Sequence, residues 1–212
     1  MISVKICGLK TAEHIQAVAD AGARYVGFVF FEKSPRFVTN EQARALAIDV
    51  PIGIMKVGLF VNPSDDYLDS VLSEVPLDMI QLHGDETPER VAQLRKQFGL
   101  PIMKVFGISK ASDLDVINDY DAADQFMFDA KPPIDATLPG GNGVAFDWRI
   151  LKTAKIEKPW MLAGGLTANN VSEAIKLSGT MQVDVSSGVE SAKGIKDKTL
   201  INEFISAARN AK

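Results

Sequence analysis

Of 212 residues one is cysteine and two are histidine. A single cysteine excludes an intrachain disulfide and a cysteine-rich metal centre. Two histidines, one of them (His14) inside a helix-like stretch, leave little from which to build a histidine-ligated metal site. Basic residues number 23 against 27 acidic ones, a net charge of −4, which argues against a nucleic-acid partner because that would want a basic face. No run of like charges is long enough for a tail. No stretch approaches the roughly 18 uncharged apolar residues of a membrane span, and the N-terminus lacks the pattern of a secretion signal. Neither a Ser/Gly-rich linker nor a Gly-x-Gly-x-x-Gly turn after the first strand-like run is found. These absences leave a cytoplasmic enzyme or small-molecule-binding protein as the expectation.

What the chain does contain is an alternation. Strand-like runs recur as "SVKIC", "RYVGFVF", "IMKVGLFV", "DMIQLH", "IMKVFGI", "QFMFDA", "PWMLAG" and "QVDVSSG". Each is nearly continuously apolar, the mark of strands covered on both faces in a parallel sheet. Polar, helix-compatible stretches lie between them, such as "TAEHIQAVADAG" and "TPERVAQLRKQFG", with capping residues at their starts. "SKASDLDVINDY" and "FDWRILKTAKIE" occupy the same kind of position with weaker helical patterns. Eight strand–helix units of about 26 residues predict one domain over 1–212, a single (β/α)8 (TIM) barrel of the α/β class. A doubly wound open sheet is the competing architecture, and the missing glycine turn counts against it.

In such a barrel the active site is built at the C-terminal ends of the strands. Polar residues fall there in order: Cys7, Ser34-Pro35-Arg36, Asn62, Gln81-Leu82-His83-Gly84, Asp129, Gly164-Gly165 and Ser186-Ser187-Gly188. Taken alone, Cys7 reads as a small buried hydrophobe. The glycine-bearing turns after strands seven and eight fit a phosphate site, since backbone amides at those positions often cradle one. The plainer reading is that these glycines only permit tight turns. Lys5 lies two residues before Cys7 and so shares its inward face. Phe28 and Phe30 are expected to fill the barrel or line its mouth.

Eight short motifs in this order carry a resemblance: "KICG" at 5–8, "SPR" at 34–36, "GLFVN" at 58–62, "QLHG" at 81–84, "FD" at 128–129, "FDW" at 146–148, "LAGGL" at 162–166 and "DVSSGVE" at 184–190. The chain resembles the phosphoribosylanthranilate isomerases of tryptophan biosynthesis over essentially its whole length. The resemblance implies an Amadori rearrangement of a small phosphoribosyl substrate without metal or organic cofactor. It implies Cys7 as general base, Asp129 as general acid, Arg36 as holder of the anthranilate carboxylate, and Gly164, Gly165, Ser186, Ser187 and Gly188 as the phosphate turns. Two departures are Asn142 and Lys10, where the family often has threonine.

The chemistry fits that residue set. One acid must protonate the ribose ring oxygen and one base must remove the C2′ proton, so neither histidine nor metal is required. Asp129 must be protonated in the complex, although an aspartate ordinarily titrates at about 3.9. Cys7 must act as thiolate, and a nearby cation such as Lys5 would favour that form. Arg36 offers a planar fork to a carboxylate, or else makes a surface ion pair. His83 reads equally as a catalyst or as a hydrogen-bonded wall residue. Asp184 is placed to orient the phosphate loop or to touch a sugar hydroxyl, and Gln81 is a further candidate beside His83. Competing readings are a metal-dependent epimerase, an indole-glycerol-phosphate synthase using strand lysines such as Lys56 and Lys104, and a non-catalytic sensor of phosphorylated metabolites. A barrel of this size can stand alone, so a monomer is expected.

Overall fold

The computed structural model describes residues 1–131, 140–141 and 145–211. Eight parallel strands close into a barrel in sequence order: β1 (Ser3–Cys7), β2 (Tyr25–Val29), β3 (Met55–Phe60), β4 (Met79–Leu82), β5 (Ile102–Ile108), β6 (Gln125–Ala130), β7 (Trp160–Leu162) and β8 (Gln182–Val185). The last pairs with the first, Lys5 lying opposite Asp184. The (β/α)8 expectation therefore holds.

Helices α1 (Ala12–Asp20), α2 (Asn40–Ile48), α3 (Asp65–Glu74), α4 (Pro88–Phe98), α5 (Arg149–Lys152), α6 (Val171–Ser178) and α7 (Lys198–Arg209) follow seven of the eight strands. Their starts are chemically specified. The Thr39 side chain accepts from the amide of Gln42, whose own side chain returns the bond to the Thr39 amide. Two otherwise orphaned donors are satisfied by that pair, and a single cap of this kind is worth about 1 kcal/mol.

Two stretches depart from the expected helices. "SKASDLDVINDY" forms two short 3-10 turns (Ala111–Leu114 and Ile117–Asp119) instead of a helix. The carboxylate of Asp113 accepts from the amides of Ser109 and Lys110 and from the Ser109 hydroxyl, so side-chain bonding to the backbone competes with the helical ladder. The helix after β7 starts only at Val171, although the helix-compatible stretch "TANNVSEAIKLSG" begins at Thr167. There Asn170 accepts from the Thr167 amide and donates to the Gly165 carbonyl, which folds the segment into a turn first.

Two cores result from the alternation of inward and outward residues. The larger one mixes strand residues such as Ile6, Val26 and Phe60 with helix residues such as Leu68, Val91 and Phe204. A second contains only strand and strand-end residues (Val57, Met79, Met103, Val105, Met127, Met161 and Ala163), so it fills the barrel interior. Phe28 and Phe30 belong to the outer core, contrary to the expectation that they face the interior or the mouth, and Phe30 stacks on Phe60 with ring centroids 5.1 Å apart. Above the inner core, Cys7, Val29 and Leu59 form a smaller apolar layer with Phe31 and Val61. That layer is the floor and wall of the mouth. Among the described residues no helix is long and apolar enough to cross a membrane.

Candidate active site

The C-terminal ends of the strands surround a cleft of about 500 Å³, lined among others by Cys7, Arg36, Gln81, His83, Asp129, Asp184 and Ser186. A second cleft of about 290 Å³ shares Asp129, Asp184 and Ser186 with it and continues between Gly164-Gly165 and Ser187-Gly188. Cys7, Arg36, Gln81, His83, Asp129, Gly164, Gly165, Asp184, Ser186, Ser187 and Gly188 thus line this pair of clefts. Lys5 is wholly buried just beneath.

Cys7 ends β1, 3% exposed. Burial pushes its thiol above the ordinary range. The Lys5 ammonium opposes that shift, the Asp184 carboxylate adds to it, and Lys196 opposes it. Lys5 favours the thiolate as expected, but desolvation outweighs it, so the thiol of the free protein is held above its ordinary range and stays protonated at neutral pH.

Lys5 explains part of that balance. Its Nζ lies 2.8 Å from Asp184 Oδ1 across the β1–β8 seam. Burial works against its charge, but the Asp184 carboxylate and the Cys7 sulfur outweigh burial and raise its pKa. Asp184 thus pairs with Lys5 through Oδ1 while lining both clefts. Replacing Asp184 by alanine leaves an ammonium in the barrel interior without a partner, a change that typically costs about 3–5 kcal/mol. Urea unfolding of Asp184→Ala should register that loss. A loss below about 1 kcal/mol, the scale of an exposed pair, would show that the ion pair is not buried in solution.

Asp129 is the penultimate residue of β6. Its Oδ1 accepts from the Ala130 amide at 2.8 Å, and its Oδ2 lies 3.4 Å from His83 Nε2. Two glycines make room for the carboxyl: a Cβ at Gly164 would come within 2.9 Å of Oδ1, and one at Gly140 within 2.7 Å of Oδ2. Gly164 also has φ of +91°, so glycine is required there on both counts. Gln81 Nε2 reaches toward His83 Nδ1 at 3.5 Å, while its Oε1 is buried with no partner among the described residues.

Arg36 is 5% exposed and is engaged where the sequence offers a free fork. Its Nε and Nη2 donate to Glu190 Oε1 and Oε2 at 2.7 and 2.9 Å. Glu190 opens a two-stranded hairpin, β9 (Glu190–Ala192) and β10 (Ile195–Lys196), whose far strand carries the buried Lys196. Although burial opposes ionisation of Glu190, Arg36 and Lys196 hold its carboxyl down to about 2. Sequence reasoning missed the hairpin, Glu190 and Lys196. The signal was a Lys193-Gly194 turn between two short runs, and Gly194 does have φ of +79°.

Asn62, at a strand end, and Lys104, within β5, prove structural. Asn62 adopts φ of +46°, accepts from the Asp85 amide and donates its own amide to Glu86. Lys104 alternates with the inward residues Met103 and Val105, and its Nζ pairs with Glu86 Oε2 at 2.7 Å. It is committed there and unavailable to the mouth, which removes a lysine that the synthase reading needs. Asn142 lies outside the described residues. Among those described, no three of His, Cys, Asp and Glu converge as a metal site.

Comparison with known proteins agrees with this geometry. The family model described as N-(5'-phosphoribosyl)anthranilate (PRA) isomerase matches residues 4–207. The N-(5'-phosphoribosyl)anthranilate isomerase of Paracoccus denitrificans is 61% identical over 208 residues, covering 98% of this chain and 97% of that one. The phosphoribosyl anthranilate isomerase structure from Thermotoga maritima superposes with a TM-score of 0.89 at 34% identity, covering 99% of both chains. A further structure of such an isomerase, in complex with reduced 1-(o-carboxyphenylamino)-1-deoxyribulose 5-phosphate, superposes with a TM-score of 0.84 at 32% identity and 99% coverage of both. With a family model spanning nearly the whole chain and a relative above 60% identity, the chain belongs to the N-(5'-phosphoribosyl)anthranilate isomerase family.

Proposed function

We propose that the protein converts N-(5-phosphoribosyl)anthranilate to 1-(2-carboxyphenylamino)-1-deoxyribulose 5-phosphate by an Amadori rearrangement, as a step of tryptophan biosynthesis. The observation that carries this reading is the placement of one thiol and one carboxyl, Cys7 and Asp129, in a single cleft that runs on to two glycine turns. The turns at Gly164-Gly165 and Ser186–Gly188 suit the phosphate, because glycine backbones let an anion approach amide N–H groups without side-chain obstruction. Arg36 suits the aromatic carboxylate at the other end of the cleft.

Between these anchors the sugar meets the acid and the base. Asp129 protonates the ring oxygen as the ring opens to an iminium ion. Cys7 then removes the C2′ proton to give an enolamine, which tautomerises to the ketone. Cys7 rests as a thiol in the free protein, so it gives up its own proton to solvent as the iminium ion forms and takes the C2′ proton in its place. The iminium nitrogen is bonded to C1′, next to the carbon that loses its proton. A full positive charge there favours the thiolate, so the base form is promoted when it is needed. His83 serves as a wall residue that orients Asp129, and Lys5, paired with Asp184, serves as a fixed cation beneath Cys7. All assigned groups come from one barrel mouth, which is compatible with action as a monomer in the cytoplasm.

Complementation of a tryptophan auxotroph lacking this isomerase step tests the reading. Growth without tryptophan is expected, together with consumption of the fluorescent substrate by purified protein in the presence of a chelator. Soluble, folded protein that neither restores growth nor turns over substrate would favour the sensor reading instead.

A further inference from the structure

Glu190 is held by four hydrogen bonds. It receives Arg36 Nε and Nη2, Lys196 Nζ at 2.8 Å and the Gly194 amide at 3.0 Å, and its side chain is only 4% exposed. A guanidinium has five N–H groups arranged in a rigid plane. Two of them, along the Nε–Nη2 edge, are committed to Glu190. Of the three that remain, two lie along the Nη1–Nη2 edge, whose Nη1 approaches Gly141 so closely that a Cβ there would stand 2.7 Å away. That edge can still form two parallel hydrogen bonds to a carboxylate.

The charge of the cluster points the same way. Arg36 and Lys196 share one carboxylate, so two buried cations face one anion. Burial penalises an uncompensated charge of this kind unless another anion joins it. Lys196 registers the strain: burial lowers its pKa, Glu190 opposes that, and Arg36 contributes to it. Asp184 does not supply the missing anion, because it is bonded to Lys5.

We propose that Glu190 is a positioning and specificity residue, which by holding the Nε–Nη2 edge of Arg36 presents the Nη1–Nη2 edge to the carboxylate of the aromatic ring. The inference rests on the reading of Arg36 as the carboxylate anchor. Lys196 completes the device by bonding Glu190, the Ser186 carbonyl at 2.9 Å and the Ser186 hydroxyl at 3.1 Å, while that hydroxyl donates to the Cys7 carbonyl. The hairpin therefore fixes the carboxylate anchor relative to the phosphate turn and to the strand end that bears the base. Selectivity for an ortho-carboxylated aniline follows, since an analogue without the carboxylate leaves the cluster one anion short.

The test measures equilibrium binding of two reduced product analogues, one with and one without the ortho-carboxylate, to wild type, Glu190→Gln, Glu190→Ala and Arg36→Ala. Wild type should prefer the carboxylated analogue by about 10- to 100-fold, the range of charge-assisted hydrogen bonds. Glu190→Ala should lower that ratio toward the value for Arg36→Ala, because loss of the fixed orientation of the guanidinium outweighs the pull of the positive charge left unpaired, and Glu190→Gln, which keeps one acceptor for Arg36, should fall between. Affinity for the analogue without carboxylate should stay near wild type in both Glu190 variants, and circular dichroism should report the same fold. An unchanged ratio in Glu190→Ala, or equal weakening toward both analogues, overturns the proposal. A ratio in Arg36→Ala equal to that of wild type overturns the Arg36 reading beneath it. Should Glu190→Ala fail to fold, Glu190→Gln decides the matter by the same ratio.

Discussion

Cys7→Ala is expected to lower kcat by about 10²- to 10⁴-fold, the usual contribution of a positioned general base, while leaving affinity for a product analogue largely unchanged. The two effects separate because the thiol sits in the apolar layer with Val29 and Leu59 and is not among the groups assigned to hold the ends of the ligand. Cys7→Ser should not restore activity, since a hydroxyl ionises far less readily than a thiol. A second measurement addresses the state of the resting enzyme. Alkylation of Cys7 in the free protein should be slow at neutral pH and should accelerate only above the ordinary thiol range, because burial outweighs the help from Lys5 and Lys196. Rapid alkylation at pH 7 would mean the thiolate is formed before substrate arrives. Turnover by Cys7→Ala at the wild-type rate would remove the thiol from the mechanism altogether.

Much of this site could be read in the sequence because a closed parallel barrel turns linear order into spatial convergence. Strand ends spaced about 26 residues apart must meet at one mouth, so Cys7, Arg36, His83, Asp129 and Ser186 were brought together by topology alone. Strand identity was equally legible, since both faces of each strand are covered and leave a near-continuous apolar run. What stayed hidden depends on partners. Nothing in "SPR" says that two of the N–H groups of Arg36 are committed to a residue 154 positions away. Nothing in "QVDV" says that Asp184 pairs with Lys5 while lining the cleft. The sign of the Cys7 shift was hidden for the same reason. Lys5 was correctly placed beside it, but the extent of burial and the opposing Asp184 charge are properties of the packed barrel. The loss of the fifth helix is a local failure of another kind, in which Asp113 bonds the backbone ahead of it and outcompetes a helical pattern already poor in good formers.

The second large effect is expected at Asp129. Asp129→Asn keeps the shape of the side chain and an oxygen that can accept from the Ala130 amide, but it has no proton to give the ring oxygen. Its kcat should fall by about 10²- to 10⁴-fold with little change in KM, as befits loss of a group that acts on the reacting atoms and does not anchor the ligand. Asp129→Glu should not substitute for it. The carboxyl is boxed by the backbone of Gly140 and Gly164, each so close that even a methyl group would collide with it, so a longer side chain cannot place its oxygens where those of Asp129 lie. The neighbouring His83 provides the control. Its Nε2 lies 3.4 Å from Asp129 Oδ2, within reach to orient the carboxyl, and an imidazole is itself able to donate a proton. Under the proposed assignment His83→Asn costs less than Asp129→Asn, and the double variant is no worse than Asp129→Asn alone, because a wall residue has nothing left to orient. The reverse order, with His83→Asn the more damaging, would move the acid from the carboxyl to the imidazole and leave Asp129 as its support.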